Sequence, residues 1–240
     1  MKRFIPLLVC VLALAAGSAA TAGNRHVVEL FTSQGCYSCP PAERLLGKLI
    51  SSRDDIVALE FHVDYWDDLV YGLAGRWVDP FSDSVYTQRQ RRYKARGLQG
   101  ENGVYTPQAV VDGRWAAVGS NKSAVEALLD NPVPRAASLT VDLGSIAARV
   151  RVSGADPGGA DVWLYRFDLR RVTRVESGEN KGKTLTNHHV VRSMSRLGRW
   201  EGGTQEYLVE GLYLSEGENC AVVVQRADQG EVLGAAPCRP

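Results

Sequence analysis

The sequence predicts an α/β layered domain followed by an all-β domain, and three observations carry that fold class. Apolar runs and segments of helical period alternate from residue 26 to residue 130. Two prolines, Pro132 and Pro134, then interrupt the chain. Beyond them come about seven short strand-like runs divided by glycine-rich turns, with no long amphipathic helix, a pattern that suggests a β sandwich.

Each element has its own signal. Val27–Phe31 is an apolar run bounded by polar residues and reads as a buried strand. Pro41–Ser51 places Leu45, Leu46, Leu49 and Ile50 on one helical face. Ile56–Val63 reads as a second strand that runs on to Tyr65 and Trp66. Ser82–Gly97 reads as a helix with a charged middle, capped by Ser82 and ended by Gly97; its run Arg89-Gln90-Arg91-Arg92 reads as a solvated face. Ala109–Val111 and Trp115–Val118 flank Asp112-Gly113, a strong hairpin signal. Ser123–Leu129 reads as a last helix, with Val125, Leu128 and Leu129 apolar. In the second half, Ser138–Leu143, Ala147–Val152, Asp161–Phe167, Val190–Met194, Tyr207–Val209, Ala221–Gln225 and Val232–Leu233 read as strands. The predicted organisation is a first domain over 23–131, a linker over 132–136 and a second domain over 137–240.

Lys2 and Arg3, the apolar segment 4–16 and the small residues ending in Ala20-Thr21-Ala22 have the three-part pattern of a secretory signal peptide over residues 1–22. The apolar segment is shorter than the ~20 residues a membrane span needs. The expectation is an exported protein, periplasmic or secreted, with no membrane insertion after cleavage. Without Lys2 and Arg3, 26 of the 28 basic residues remain against 27 acids, a net charge of −1. Such a balance gives no electrostatic footprint for nucleic acid.

Loss of Cys10 with the leader leaves Cys36, Cys39, Cys220 and Cys238. Four cysteines allow three pairings, and an even count outside the cytosol suggests two disulfides. Spacing favours Cys36 with Cys39 and Cys220 with Cys238. Around the turn-like Asp228-Gln229-Gly230, Cys220 and Cys238 share a hairpin register with Val222 and Ala236 and with Val224 and Gly234. That second pair reads as a structural disulfide.

Cys36-Tyr37-Ser38-Cys39 lies between a strand and a helix. A helix start offers unpaired N–H groups and positive dipole, which lower a thiol's pKa. The two-residue spacing lets the sulfurs pair. Cys36 is the expected nucleophile and Cys39 the resolving thiol; Ser38 reads as an ordinary first-turn serine, with a donor to the Cys36 thiolate as the alternative. Pro40 and Pro41 are tolerated in a first helical turn. A zinc site would need a second ligand pair, and His62, His188 and His189 offer no obvious assembly, so no metal and no organic cofactor are expected. His62, Asp64, Asp67 and Asp68 follow the second strand and are candidates for a cleft or for a solvated loop; Tyr65, Trp66, Trp77 and Phe81 are candidates for an apolar rim or for core.

The order strand–CxxC–helix, with Thr106-Pro107 before a hairpin and a final helix, resembles the thioredoxin-like superfamily over residues 26–130. The resemblance implies a thioredoxin-like α/β domain, a cis Thr106–Pro107 bond, substrate binding by Thr106 and Pro107, and a buried carboxylate beneath the pair, for which Glu29 is the candidate proton relay. A partly exposed strand-face glutamate is the competing reading of Glu29. Gly35 before the first cysteine and Tyr-Ser between the pair depart from ordinary thioredoxins. The runs 28–42, His62-Val63-Asp64-Tyr65-Trp66, Tyr105-Thr106-Pro107-Gln108, Gly178-Glu179-Asn180-Lys181-Gly182 and Asn187-His188-His189-Val190-Val191-Arg192 resemble the secreted DUF1223 family, which carries no established reaction.

The functional expectation is an exported thiol–disulfide oxidoreductase acting on protein or small-molecule disulfides. The alternatives are a binding or assembly protein whose CxxC disulfide is structural, and a carrier that holds Cu(I) on two thiolates.

Overall fold

The computed structural model describes residues 25–132, 135–155 and 158–239. The expected leader with Cys10, and Val133 and Pro134 of the expected linker, lie outside the described residues.

Strand β1 (His26–Thr32) lies parallel to β2 (Ile56–His62), and helix α1 (Pro40–Ser52) makes the crossover that a parallel pair requires. On its other side β1 pairs antiparallel with β4 (Gln108–Val111), which turns into β5 (Trp115–Val118). The turn between them has Asp112 at φ 53° and Gly113 at φ 64°, the two positive values that a type I′ hairpin needs. The short strand β3 (Gln99–Gly100) closes this edge beside β5.

β1 and β2 are buried along their whole length, so both faces are covered. Alternation along the strand sends Val28 and Leu30 to one face, where they meet Leu45, Leu46 and Leu49 of α1 and Val125 and Leu129 of α3 (Lys122–Leu129). Val27 and Phe31 point to the other face, among Phe61 and Tyr86 and Tyr93 of α2 (Ser84–Arg96). The cap of α2 is Asp83, whose carboxylate accepts from the Val85 N–H at 2.8 Å, rather than the expected Ser82.

The second half supplies two long strands, β8 (Ala160–Arg174) and β9 (Thr184–Trp200), which form one antiparallel hairpin. β11 (Glu218–Arg226) pairs with β8, and β12 (Val232–Pro237) pairs with β11. β9 meets β2 in parallel at Glu60–Val190. The result is one nine-stranded mixed sheet in the order β12-β11-β8-β9-β2-β1-β4-β5-β3. A three-stranded sheet of β6 (Ala137–Leu143), β7 (Ala147–Gly154) and β10 (Gln205–Glu210) packs Leu139, Val150 and Val152 against Val162, Leu164, Trp200 and Val222.

This corrects the expected fold class. The protein is not a thioredoxin-like α/β domain followed by a separate β sandwich: it is mostly β, and its main sheet draws strands from both halves. The elements were readable from periodicity, but the lateral join was not. It runs through polar Glu60 and through a β9 that reaches well beyond the apolar Val190–Met194 run.

Candidate functional site

The site grows from the end of β1. After Thr32 the chain turns at Ser33, whose hydroxyl accepts from the Gly35 N–H at 3.0 Å and whose carbonyl accepts from the Cys36 N–H at 3.1 Å. Cys39 is the N-cap of α1, with Pro40 and Pro41 in the first turn, where no N–H is needed. Cys36 and Cys39 form a disulfide, and both are fully buried. Ser38 Oγ lies 3.4 Å from Cys36 Sγ. Between the cysteines, Tyr37 is 65% exposed.

A roof over this turn comes from the tip of the β8–β9 hairpin. Buried Asn180 donates through Nδ2 to the carbonyls of Gln34 and Cys36, each at 2.9 Å. Glu179 Oε2 accepts from the Tyr37 N–H at 2.8 Å. Lys183 donates to Asn180 Oδ1 at 2.8 Å and places Nζ 4.1 Å from the centre of the Tyr37 ring. The tip is itself anchored where the Gly178 N–H donates to Ala74 at 2.9 Å.

Beneath the turn runs a buried polar chain. The Gln34 N–H donates to Asp79 Oδ2 at 2.7 Å, and the same oxygen lies 2.7 Å from His62 Nδ1. His62 Nε2 faces Glu60 Oε1 at 3.3 Å. Glu60 accepts from Asn187 Nδ2 at 2.6 Å and from the His188 N–H at 2.8 Å, and Asn187 Oδ1 accepts from Gln34 Nε2 at 2.9 Å. Burial alone depresses the His62 imidazole, but Asp79 and Glu60 outweigh it and push it up to about 10. Burial disfavours the Asp79 carboxylate in turn, yet His62 holds it below its usual range. Glu43 lies on α1 one turn beyond Cys39 and on the same helix face, and accepts from Thr32 Oγ1 at 2.9 Å. Burial, reinforced by the charge of Glu60, raises it to about 8, so it carries a proton at neutral pH.

Of the residues singled out by sequence, Thr106-Pro107 is linked to this turn through Trp66. The bond between them is cis. Trp66 donates to Thr106 Oγ1 at 2.8 Å and leans on Gly35, where an added Cβ would stand 3.2 Å from Trp66 Cβ. A side chain at Gly35 would press on Trp66, which would have to give by a few tenths of an ångström. Glu29 goes elsewhere. It points to the α2 face, where Arg89 Nε and Nη2 reach it at 2.5 and 2.8 Å and the Tyr93 hydroxyl at 2.5 Å. The carboxyl that shares a helix face with Cys39 is Glu43. Arg89 and Gln90 are buried, whereas Arg91 and Arg92 are exposed, so only half of the expected solvated run faces water. Asp64 and Asp67 accept from Thr87 Oγ1 at 2.5 Å and Ser82 Oγ at 2.6 Å. Cys220 and Cys238 form the second disulfide, in the expected register between β11 and β12.

Sequence reasoning passed over Glu43, Glu60, Asp79, Gln34 and Asn187 as site residues. The available signal was the tip itself, since 178–182 and 187–192 belong to the runs that carry the family resemblance.

Fold and site together define a mixed-sheet protein with a roofed CxxC disulfide at a strand–helix turn. Residues 27–225 match the family described as "Protein of unknown function (DUF1223)", and the chain belongs to that family. Among solved structures it is similar to protein AGR_C_4864 from Agrobacterium tumefaciens, with 31% identity, a TM-score of 0.72, and coverage of 88% of this chain and 92% of that one. A domain of the outer membrane lipoprotein Omp28 from Porphyromonas gingivalis matches at 13% identity and a TM-score of 0.25, over 45% of this chain and 89% of that one. No protein of curated function matches the chain.

Proposed function

We propose that this protein is an exported thiol–disulfide oxidoreductase that works through Cys36 and Cys39 on protein or small-molecule disulfides. The observation that carries the reading is the Cys36–Cys39 disulfide at the N-terminus of α1, where the helix dipole favours a thiolate. In the dithiol form, the Cys36 thiolate attacks one sulfur of a substrate disulfide and releases the other as a thiolate. Cys39 then attacks the Cys36 sulfur, frees the second substrate thiolate and closes the Cys36–Cys39 bond. Two electrons pass to the substrate, and the two protons of the cysteines end on its thiols. Run in reverse, the same steps oxidise a substrate dithiol. Glu43 is the group that exchanges the proton of Cys39, and Thr106-Pro107 is the surface on which the substrate strand docks. The leader pattern of residues 1–22 supports export.

The test is turnover of a peptide disulfide by the protein and by Cys36→Ser and Cys39→Ser. Loss of turnover in both variants is the expected result, and unchanged turnover rejects the enzyme.

A second reading has its own support, because both sulfurs are fully buried beneath Asn180 and the tip. In that reading the disulfide is a fixed part of a binding or assembly protein. A reduction potential well below about −300 mV supports the fixed bond, and a higher one supports the working pair.

A further inference from the structure

A cleft beside β2 shares no lining residue with the cysteine turn. It has a volume of about 740 Å3, within the range of about 300–1,000 Å3 typical of small-molecule sites. It exists because of how the sheet is joined. β2 and β9 pair at Glu60–Val190, and the first part of β2, Ile56–Ala58, is left beside an opening. His189, the residue before that bridge, has φ 51°, a left-handed conformation that is costly for a bulky side chain. Its ring is held by two contacts. Nδ1 donates to the Ala58 carbonyl at 3.0 Å, and the ring lies 4.6 Å from that of Phe167.

The two ends of the cleft differ in chemistry. The floor is apolar, with Ile56, Ala58, Phe167 and Ala221. The rim carries three guanidinium groups, Arg25, Arg53 and Arg239, against one lining carboxylate, Asp54. Arg53 is committed to Asp55 at 2.7 Å and to Asp130 at 3.4 Å. Arg25 and Arg239 are bound differently. Arg25 donates to the Asp54 carbonyl, and Arg239 donates to the carbonyls of Glu218 and Leu214 at 3.4 Å each. Each guanidinium has five donors in a planar fork, so both retain capacity for a carboxylate.

We propose that this cleft binds a small organic carboxylate with an apolar body, its head held by Arg25 and Arg239 and its body laid on Phe167 and Ala221. An anion at this rim converts two cations bonded only to carbonyls into charge-assisted pairs, and the apolar floor removes the ligand's hydrocarbon from water. The site is independent of the redox reading.

The experiment is calorimetric titration of the purified protein with decanoate, decylamine and inorganic phosphate. Decanoate is expected to bind at one saturable site, while decylamine, with the same tail and the opposite charge, and phosphate, with no tail, do not compete for it. The pair Arg25→Ala and Arg239→Ala is expected to weaken decanoate about tenfold or more, the scale of losing one charge-assisted hydrogen bond. Asp54→Asn removes the opposing carboxylate and is expected to tighten decanoate about two- to threefold, a readout that survives even if the double variant fails to fold. Binding that persists in Cys36→Ser separates this site from the cysteines. Equal binding of decylamine, full competition by phosphate, or affinity unmoved in the Arg25 and Asp54 variants overturns the proposal.

Discussion

Cys36–Cys39 and Cys220–Cys238 are both buried disulfides, but their neighbours differ in kind. The first sits at a helix start with a buried polar chain of Gln34, Asp79, His62 and Glu60 below it, protonated Glu43 one turn away and the side chain of Asn180 above it. The second joins adjacent strands inside an apolar cluster with Trp200, Leu139 and Val222. Burial alone therefore does not separate the proposed redox pair from a structural disulfide. What tells them apart is whether groups nearby can stabilise a thiolate and exchange a proton.

The comparison is broken most directly by swapping the loss. Cys36→Ser is expected to abolish disulfide turnover with a peptide substrate, while Cys220→Ser with Cys238→Ser leaves kcat within about twofold once the protein is folded. Equal loss in both erases the distinction.

Stability should show the opposite ranking. Cys220–Cys238 closes a loop with a sequence separation of 18, against 3 for Cys36–Cys39. The chain-entropy relation gives about 3 kcal/mol for the longer loop and about 2 kcal/mol for the shorter. Urea unfolding of the two double Cys→Ser variants is expected to reproduce that order.

The polar chain makes a pH prediction. Glu43 has its folded pKa raised from 4.5 to about 8. The folded state therefore holds a proton that the unfolded state has released, and stability falls as pH rises from about 4.5 to about 8. His62 is raised from 6.5 to about 10, so its contribution is complete below 6.5 and is lost as pH climbs through about 10. Glu43→Gln should flatten the decline between pH 5 and pH 8 by about 3 kcal/mol, as read from urea midpoints at the two pH values. A wild-type slope retained in the variant removes Glu43 from the comparison.

The smallest effect concerns the roof. Asn180→Ala removes two hydrogen bonds to the Gln34 and Cys36 carbonyls, so it should cost about 1–3 kcal/mol. It should also speed reduction of Cys36–Cys39 by dithiothreitol several-fold while leaving the rate for Cys220–Cys238 unchanged, as followed by thiol trapping.

Local features were legible where one residue type satisfies one local requirement. Asp112-Gly113 announced its turn, Pro40 and Pro41 marked the start of α1, and the register of Val222 with Ala236 placed Cys220 opposite Cys238. The sheet joint was not legible because one bridge at Glu60–Val190 leaves no periodic trace. β8 and β9 were read too short, since their outer parts carry Arg170, Arg171 and Arg174, which look like loop. The buried polar residues were hidden for a related reason. Glu43 and Asp79 are types that normally face water, and nothing local shows that Thr32 and His62 wait to receive them. Arg89 was misjudged in the same way, because its partner Glu29 lies 60 positions earlier.

Asn180 stands 144 positions beyond the cysteine whose carbonyl it holds. Ribosomes make the chain from its N-terminus, so Cys36 and Cys39 emerge long before their cover has been synthesised. For that interval the two thiols are open to any oxidant or partner they meet. The order of synthesis thus gives the pair an uncovered early life that the finished protein closes.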